Sequence, residues 1–426
     1  MRTRITYLID DADGENPVEI KENNLVKLSG LQGEKHIRVV VPHALDGSIV
    51  YVSWTSEIHP DGVFDPPVEK GLHVDTLPDT EWSSLLPWLA QCGIDIDESQ
   101  IVQAANWDSY TSLIKPSFAC LKQYGIPDGA YALKITSGYA NEYLTGVEAN
   151  DLVIEAWYSR ADWFETIEKT GDKTEVGFLS VDKMSTPADK TLYGFVHNVG
   201  VDVNRIMFHQ VPSFRRVPGK AVGRFDDPHG LHPVFKLDLH VAKYNIPYGC
   251  KLFAQLDLPK SLFIDKYQMG DLPRVQPPLE NLGVWGETDL EKPVWQTSKG
   301  STALFRLLGN GYNETYQIPI HSRYEEPSPA LHIDHLIGDP LVFWACQDDD
   351  FPQQHVPGLS FESIFPQDTV YHILESQPVH YKIPVISPEH RDFVYSATSL
   401  TVIAGTFLII FAILQRLSAQ HKLKNE

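Results

Sequence analysis

Cysteine and basic residues are scarce in this sequence. Four cysteines in 426 residues exclude a disulfide-dense scaffold, which depends on many cross-links because its core is small. The chain has 35 Lys and Arg residues against 56 Asp and Glu residues, which gives a formal charge of −21. Such a chain lacks the basic stripes that bind a phosphate backbone, so we expect no nucleic-acid partner.

Motifs of catalysis are also absent. The sequence contains no Gly-x-Ser-x-Gly elbow, phosphate-binding loop, dinucleotide fingerprint or His-Glu-x-x-His pattern. Short acidic patterns such as Asp95-Ile96-Asp97 fit chelation of a hard cation, but among 56 acidic residues a solvated surface is the favoured interpretation. We therefore predict no catalytic residue, no metal site and no cofactor.

The composition favours a β-rich chain with many turns. The sequence has 30 prolines and 28 glycines, and runs such as 234–244 and 251–259 alternate apolar and polar residues, which is typical of half-buried strands. We predict a mainly β ectodomain, antiparallel and sandwich-like, with a mixed α/β amino-terminal region and one carboxy-terminal transmembrane helix.

The domain boundaries follow from shifts in composition. Residues 1–190 are predicted to be the mixed α/β region. It should contain two strands in 34–54 joined by a turn at Asp46-Gly47, a short helix near 82–92 and a polar linker, or a long hairpin loop, at 165–190. Residues 191–346 are predicted to be the β domain, and the proline-rich residues 347–393 a stalk.

One long apolar run predicts a membrane span. Residues 394–414 carry no charge, and 21 helical residues extend about 30 Å, the thickness of the hydrocarbon core. Basic residues follow the span, so residues 415–426 are predicted to form a cytosolic tail and the larger part of the chain to be lumenal. The apolar run in residues 1–11 is too short for a secretory signal peptide, so the route of translocation stays open.

The span and the tail contain two further patterns. Ala397, Thr401 and Gly405 recur every four residues and would let another membrane helix approach closely, although a lone anchor is the alternative. Lys422 and Lys424 stand fifth and third from the end and resemble a dilysine retrieval signal, which predicts a single-pass protein of the endoplasmic reticulum membrane.

Two kinds of covalent modification are expected in an oxidising lumen. Asn313-Glu314-Thr315 is a glycosylation sequon in a Gly-rich turn. An oxidising compartment also permits disulfides, but four cysteines allow three full pairings, and free buried thiols are an equal alternative. The cysteines concerned are Cys92, Cys120, Cys250 and Cys346.

Five blocks of sequence, in order and followed by the span, resemble the PIG-X family. They are GLHPVF (230–235), LPKSLFIDKYQ (258–268), DLEKPV (289–294), IPIHSRY (318–324) and DPLVFWAC (339–346). The similarity covers about residues 200–415. Asp265, His321, Arg323, Tyr324 and Pro340 stand at positions of the family pattern, and residues 1–190 are similar to the extended amino-terminal region of the long, fungal-type members.

The resemblance implies a function. PIG-X-like proteins are non-catalytic subunits of GPI mannosyltransferase I in the endoplasmic reticulum, where they stabilise a multi-span catalytic subunit of the PIG-M type that adds the first mannose of the GPI anchor. The five motif residues are then expected to be structural or to face this partner. Arg323 and Tyr324 are the best candidates for the interface, because Arg and Tyr commonly anchor interfaces. A core-strand position is the alternative for Tyr324. Two other functions stay open, a lumenal chaperone or cargo-binding receptor and a membrane-tethered lumenal hydrolase.

Overall fold

The computed structural model describes most of the chain. The described residues are 1–10, 18–21, 25–42, 50–56, 63–77, 82–103, 108–112, 114–137, 147–148, 150–169, 171–186, 189–210, 212–226, 230–269, 277–346, 365 and 369–424.

An eleven-stranded sheet organises the amino-terminal part. Its strand order is β14-β13-β12-β1-β4-β10-β9-β5-β6-β8-β7, and a small sheet of order β11-β3-β2 packs beside it. The strands are β1 (Arg2–Leu8), β2 (Val18–Lys21), β3 (Leu25–Leu28), β4 (Leu31–Val41), β5 (Val50–Thr55), β6 (Gly71–Thr76), β7 (Val102–Gln103), β8 (Asp108–Ser112), β9 (Ala132–Ser137), β10 (Leu152–Trp163), β11 (Thr166–Glu168), β12 (Lys173–Val181), β13 (Lys190–Asn198) and β14 (Asp202–Gln210).

An eight-stranded sheet organises the carboxy-terminal part, in the order β19-β20-β17-β24-β25-β15-β16-β21. Two-stranded sheets β18-β22 and β23-β26 complete it. The strands are β15 (Phe214–Phe225), β16 (Val234–Val241), β17 (Lys251–Leu258), β18 (Leu262–Phe263), β19 (Leu279–Gly286), β20 (Ser301–Leu307), β21 (Thr315–Pro319), β22 (His321–Ser322), β23 (His332–Ile337), β24 (Leu341–Cys346), β25 (Val370–Glu375) and β26 (Val379–Pro384).

Apolar side chains are buried on both faces of the eight-stranded sheet. Successive residues of a strand point to opposite faces, and on β17 Leu252 and Ala254 join one core while Phe253 joins another. The second core also contains Val68, from the segment between β5 and β6. Val68 therefore packs the amino-terminal part against the carboxy-terminal sheet.

Two α-helices are present in the described chain. Helix α1 (Trp82–Gln91) buries Trp82, Leu85 and Leu89, whose spacing of three and four places them on one helical face, and it confirms the helix predicted near 82–92. Helix α2 (Arg391–Lys424) contains an apolar segment that is long enough to cross a membrane and is not buried by the rest of the chain. The predicted fold class, mainly β with one carboxy-terminal apolar helix, is confirmed.

The predicted pairing within 34–54 is wrong, although both strands exist. β4 pairs with β1 and β10, and β5 pairs with β6 and β9, so two later strands lie between them. The turn predicted at Asp46-Gly47 lies outside the described residues. The alternation of apolar and polar residues predicted the two strands. It does not determine which strands become neighbours in the sheet, because that depends on long-range packing.

The polar segment 165–190 is not a linker. It contains β12, which lies between β1 and β13 in the large sheet, and the short strand β11. Polar residues of β12 are buried with partners, as the Ser180 hydroxyl shows by donating to the carbonyl of Ile9 at 2.8 Å. A polar composition therefore concealed a central strand.

Two predicted boundaries also differ from the sheet topology. Strands β13 and β14 extend the amino-terminal sheet to residue 210, beyond the boundary at 190. Within the predicted stalk 347–393, β25 pairs with β24 and β15, and β26 pairs with β23. The prolines of this segment punctuate strands that belong to the β domain. Residues 347–364 lie outside the described chain.

The described chain contains two disulfide bonds, of which Cys92–Cys120 is buried and Cys250–Cys346 is partly exposed. Cys92, next to the end of α1, is bonded to Cys120, and Cys250, just before β17, is bonded to Cys346 at the end of β24. Because β17 and β24 are neighbours in the sheet, the second bond joins adjacent strand ends that are 96 residues apart in sequence. The structure thus selects one of the pairings that the sequence left open.

Candidate functional site

Arg323 is the centre of the candidate site. It directly follows β22, which pairs with β18, and its backbone N–H donates to the carbonyl of Ser261 at 2.9 Å. The residue is only 2% exposed. The pairing of β22 with β18 and the hydrogen bond to Ser261 therefore place the Arg323 side chain in the protein interior.

The guanidinium of Arg323 binds the loop that follows β19. Its Nη1 donates to the carbonyls of Asp289 and Lys292, the latter at 2.8 Å, and its Nη2 donates to the carbonyl of Glu287 at 3.2 Å. The guanidinium carbon lies 4.3 Å from the centre of the Phe263 ring, a cation–π distance. Burial lowers the pKa of Arg323, while the nearby carboxylates of Glu287 and Asp289 raise it.

These contacts leave Arg323 little capacity to bind a partner. Its Nη1 and Nη2 groups donate to backbone carbonyls, and the Phe263 ring lies against one face of the guanidinium. This arrangement fixes the geometry of the loop that follows β19. The structure places Arg323 inside the domain, where it cannot present its side chain to another protein. This burial does not agree with an interface role for Arg323, whereas the contacts fit the structural alternative.

His321 links two further segments to the same strand. Its Nε2 donates to Oε1 of Gln268 at 2.8 Å, which leaves Nδ1 to accept from Nδ1 of His232 at 2.8 Å. The imidazole also stacks on Phe263, with ring centres 5.2 Å apart. Burial lowers the pKa of His321, the neighbouring His232 lowers it further, and Asp265 raises it, so the neutral ring that this bonding needs is favoured.

Four of the five sequence blocks therefore converge. Block 318–324 supplies the central strand, block 258–268 pairs with it, block 289–294 is held by Arg323, and block 230–235 lies on its other side. The backbone bonds on that side run from Ile320 N–H to the carbonyl of Pro233 (3.0 Å) and from Ser322 N–H to the carbonyl of Leu231 (2.9 Å).

The remaining block, 339–346, forms part of the core instead. Pro340 is buried directly before β24, which lies between β17 and β25. Asp265 also has a local structural role, because its Oδ1 accepts from the N–H of Tyr267 at 2.8 Å and closes a turn.

Tyr324 is the motif residue that reaches the surface. It is 65% exposed, and its carbonyl accepts from the N–H of Val294 at 3.0 Å. Trp295 follows at once and is 55% exposed. The convergent blocks thus bury Arg323, while Tyr324 and the neighbouring Trp295 are exposed, so the core-strand alternative for Tyr324 is not supported.

The other predicted site residues occupy separate places. Asn313 is exposed in the turn between β20 and β21 and has a φ of 46°. On α2, Ala397, Thr401 and Gly405 follow one helical face, and the Thr401 hydroxyl donates to the Ala397 carbonyl at 2.8 Å. The side chains of Lys422 and Lys424 lie outside the described residues.

Other groups of polar residues show structural uses. Asp97 caps a short 3-10 helix, where its Oδ1 accepts from the N–H and the hydroxyl of Ser99 at 3.0 and 2.6 Å. Among the residues described, no group of three or more His, Cys, Asp or Glu side chains has the arrangement of a metal site.

A cavity of about 360 Å³ lies between the two large sheets. At its wall, Gln255 donates to Glu69 at 3.0 Å and Lys70 contacts Asp339 at 3.4 Å. Both contacts join the amino-terminal part to the eight-stranded sheet. Of the four convergent blocks, only block 258–268 contributes to the wall of the cavity, through Leu258 and Pro259.

Comparison with known proteins gives a consistent result. A family model described as PIG-X / PBN1 matches residues 228–414. Protein PBN1 of Yarrowia lipolytica is 29% identical over 292 residues, 58% of this chain and 55% of that protein. Protein PBN1 of Debaryomyces hansenii is 30% identical, over 57% of this chain and 56% of that protein. The chain thus spans little more than half the length of these relatives.

Solved structures add no further argument. A collagen adhesin from S. aureus is 8% identical, with 88% of this chain and 97% of that chain covered, at a TM-score of 0.19. A likeness this distant says nothing about function.

Proposed function

We propose that this protein is a non-catalytic subunit of GPI mannosyltransferase I, because residues 228–414 match the PIG-X / PBN1 family model. It stabilises a multi-span, PIG-M-like catalytic subunit that adds the first mannose of the GPI anchor in the endoplasmic reticulum. The observation that carries the proposal is the convergence of four family blocks around Arg323, whose side chain holds loops in place.

The division of labour has a physical basis. A transferase that joins two lipid-borne substrates needs a cavity within the membrane, and such a cavity is built from several helices. The described chain contributes one candidate span. A β domain with firmly held loops is suited to brace a lumenal part of a larger membrane protein.

The span supports the same proposal. Nothing lies within 4 Å of a Cβ built at Gly405, so this position is open to a second helix. Small residues one turn apart allow two helix backbones to approach closely in lipid. We assign the stripe of Ala397, Thr401 and Gly405 to the contact with the catalytic subunit.

The proposed location is the endoplasmic reticulum membrane, with the β domain lumenal and the tail cytosolic. The orientation is supported by basic residues after the span, including Arg416, and by the exposed sequon at Asn313. Treatment with a glycosidase tests it. A mass decrease that is lost in Asn313→Gln supports a lumenal β domain, and protease sensitivity of this domain in sealed, correctly oriented microsomes contradicts it.

Depletion of the protein tests the proposed step. Cells labelled with radioactive inositol should accumulate the unmannosylated glucosaminyl lipid after depletion, and re-expression of the full chain should reverse this. The catalytic subunit should also fall in abundance, because it loses its stabilising partner. A normal profile of GPI intermediates would contradict the proposal and favour a chaperone or cargo receptor. Accumulation of a later, mannosylated intermediate would contradict it equally.

A further inference from the structure

Three large side chains in and beside the loop held by Arg323 are exposed to solvent. Leu290, Trp295 and Tyr324 are 50%, 55% and 65% exposed, and we call these three residues the aromatic edge. Leu290 lies between two residues whose carbonyls are bound by Arg323, and Trp295 is held beside Tyr324 by the backbone bond described above. The edge is therefore exposed although its backbone is firmly fixed.

Backbone hydrogen bonds connect this region to the start of the membrane helix. The N–H of Ser328 donates to the carbonyl of Ile386 at 3.0 Å, and the N–H of Val385 donates to the carbonyl of Leu331 at 2.9 Å. A 3-10 helix begins two residues after Ile386, at Pro388, and continues into α2. The chain that enters the membrane is thus paired with the segment that follows Tyr324.

The chain that links the aromatic edge to the membrane helix is short. Tyr324 and Ser328 are four positions apart, a reach of at most about 14 Å when the chain between them is extended. From Ile386 to Phe393, where the apolar part of α2 begins, the chain covers at most about 15 Å if two residues are extended and the rest helical. The headgroup layer on each side of a bilayer is about 5–8 Å thick. Together these segments form a tether of at most about 30 Å, which permits the aromatic edge to contact this layer.

We propose that the aromatic edge, together with the exposed Leu331, inserts into the headgroup layer of the membrane that α2 spans. Trp and Tyr prefer this layer because their rings are apolar and their N–H or O–H groups bind water and headgroups. The exposed acidic residues Asp289 and Glu291 flank Leu290, which favours zwitterionic over anionic lipid. The contact fixes the height and tilt of the β domain above the bilayer.

Quenching of tryptophan fluorescence tests this contact. The full chain is reconstituted into phosphatidylcholine bilayers, with or without bromine near the headgroup end of the acyl chains. Helix α2 contains no tryptophan, and Trp295 is more exposed than the other tryptophans of the described chain. We expect bromine to lower the emission of the wild type, and Trp295→Phe to reduce this loss at least twofold. Trp88→Phe, a partly exposed position on α1, is the matched control and should keep the full loss.

A second variant separates insertion from misfolding. Leu290→Ser leaves Trp295 and Arg323 in place but removes apolar area from the edge, so the bromine-dependent loss should decrease while the circular dichroism spectrum stays unchanged. Equal quenching in wild type and Trp295→Phe would overturn the proposal. Absence of quenching in lipid, with the edge protected only when another membrane protein co-purifies, would overturn it too and would assign the surface to that protein. The experiment uses the purified chain without the mannosyltransferase, so its result is independent of the function proposed above.

Discussion

Replacement of Arg323 by methionine is the sharpest test of how the convergent blocks are held together. Methionine keeps most of the apolar stem but removes three charge-assisted hydrogen bonds to the carbonyls of Glu287, Asp289 and Lys292. At about 1.5 kcal/mol each, the bonds sum to about 4.5 kcal/mol. Because Asp289 is exposed, its carbonyl regains water, and we expect the free energy of unfolding to fall by about 3 kcal/mol.

The assay combines a global and a local measurement. Urea unfolding of the purified full chain in detergent gives the change in the free energy of unfolding, and amide hydrogen exchange over residues 287–296 reports the loop itself. We expect the amides of this loop to exchange faster in Arg323→Met than in the wild type. Arg323→Lys should lie between them, since an ammonium cannot reproduce the planar fork.

Arg306→Met is the matched control. Arg306 lies on β20, is 36% exposed in its side chain and has an ion pair with Glu280 at 3.4 Å, so its loss should cost less than about 1 kcal/mol. A similarly small loss for Arg323→Met, with unchanged exchange in the loop, would refute the structural role that we assign to Arg323.

Three further predictions concern cross-links, pH and the membrane helix. Cys250→Ser opens a disulfide to Cys346 across 96 residues, and chain entropy gives a loss of about 4.7 kcal/mol, measured by urea unfolding. Burial and the nearby positive charge of Arg215 lower the pKa of His372 to about 4. Protons then bind the unfolded chain preferentially, so stability should fall as pH drops from about 6.5 towards 4, and His372→Gln should flatten this curve. Gly405→Leu should weaken co-purification of the catalytic subunit, whereas Ser399→Leu on the opposite helical face should not.

Each of these predictions has a clear contrary result. Equal free energies of unfolding for the oxidised wild type and Cys250→Ser would show that the Cys250–Cys346 bond does not stabilise the protein. An unchanged pH profile in His372→Gln would assign the acid sensitivity to other groups. Equal co-purification in the two α2 variants would leave the helix as an anchor only.

The sequence alone determined the features that depend on neighbouring residues. A continuous apolar run specified α2, because the thickness of the bilayer sets a length that can be counted. Alternation specified strands such as β16 and β17, because a period of two follows from local backbone geometry, and a short helix was predicted where α1 lies. The resemblance of five blocks to one family added the function that we propose.

Only the tertiary structure decided which segments meet. β4 and β5 are close in sequence but are separated in the sheet by β9 and β10. The segment 165–190 has a polar composition, yet it contains β12, an interior strand of the large sheet. Arginine is a common interface residue, yet Arg323 is buried. Its side chain donates to carbonyls of residues more than thirty positions earlier in the chain. Such contacts form when long-range packing compensates the entropic cost of closing large loops. A local pattern of residues does not reveal whether the packing is strong enough to do so.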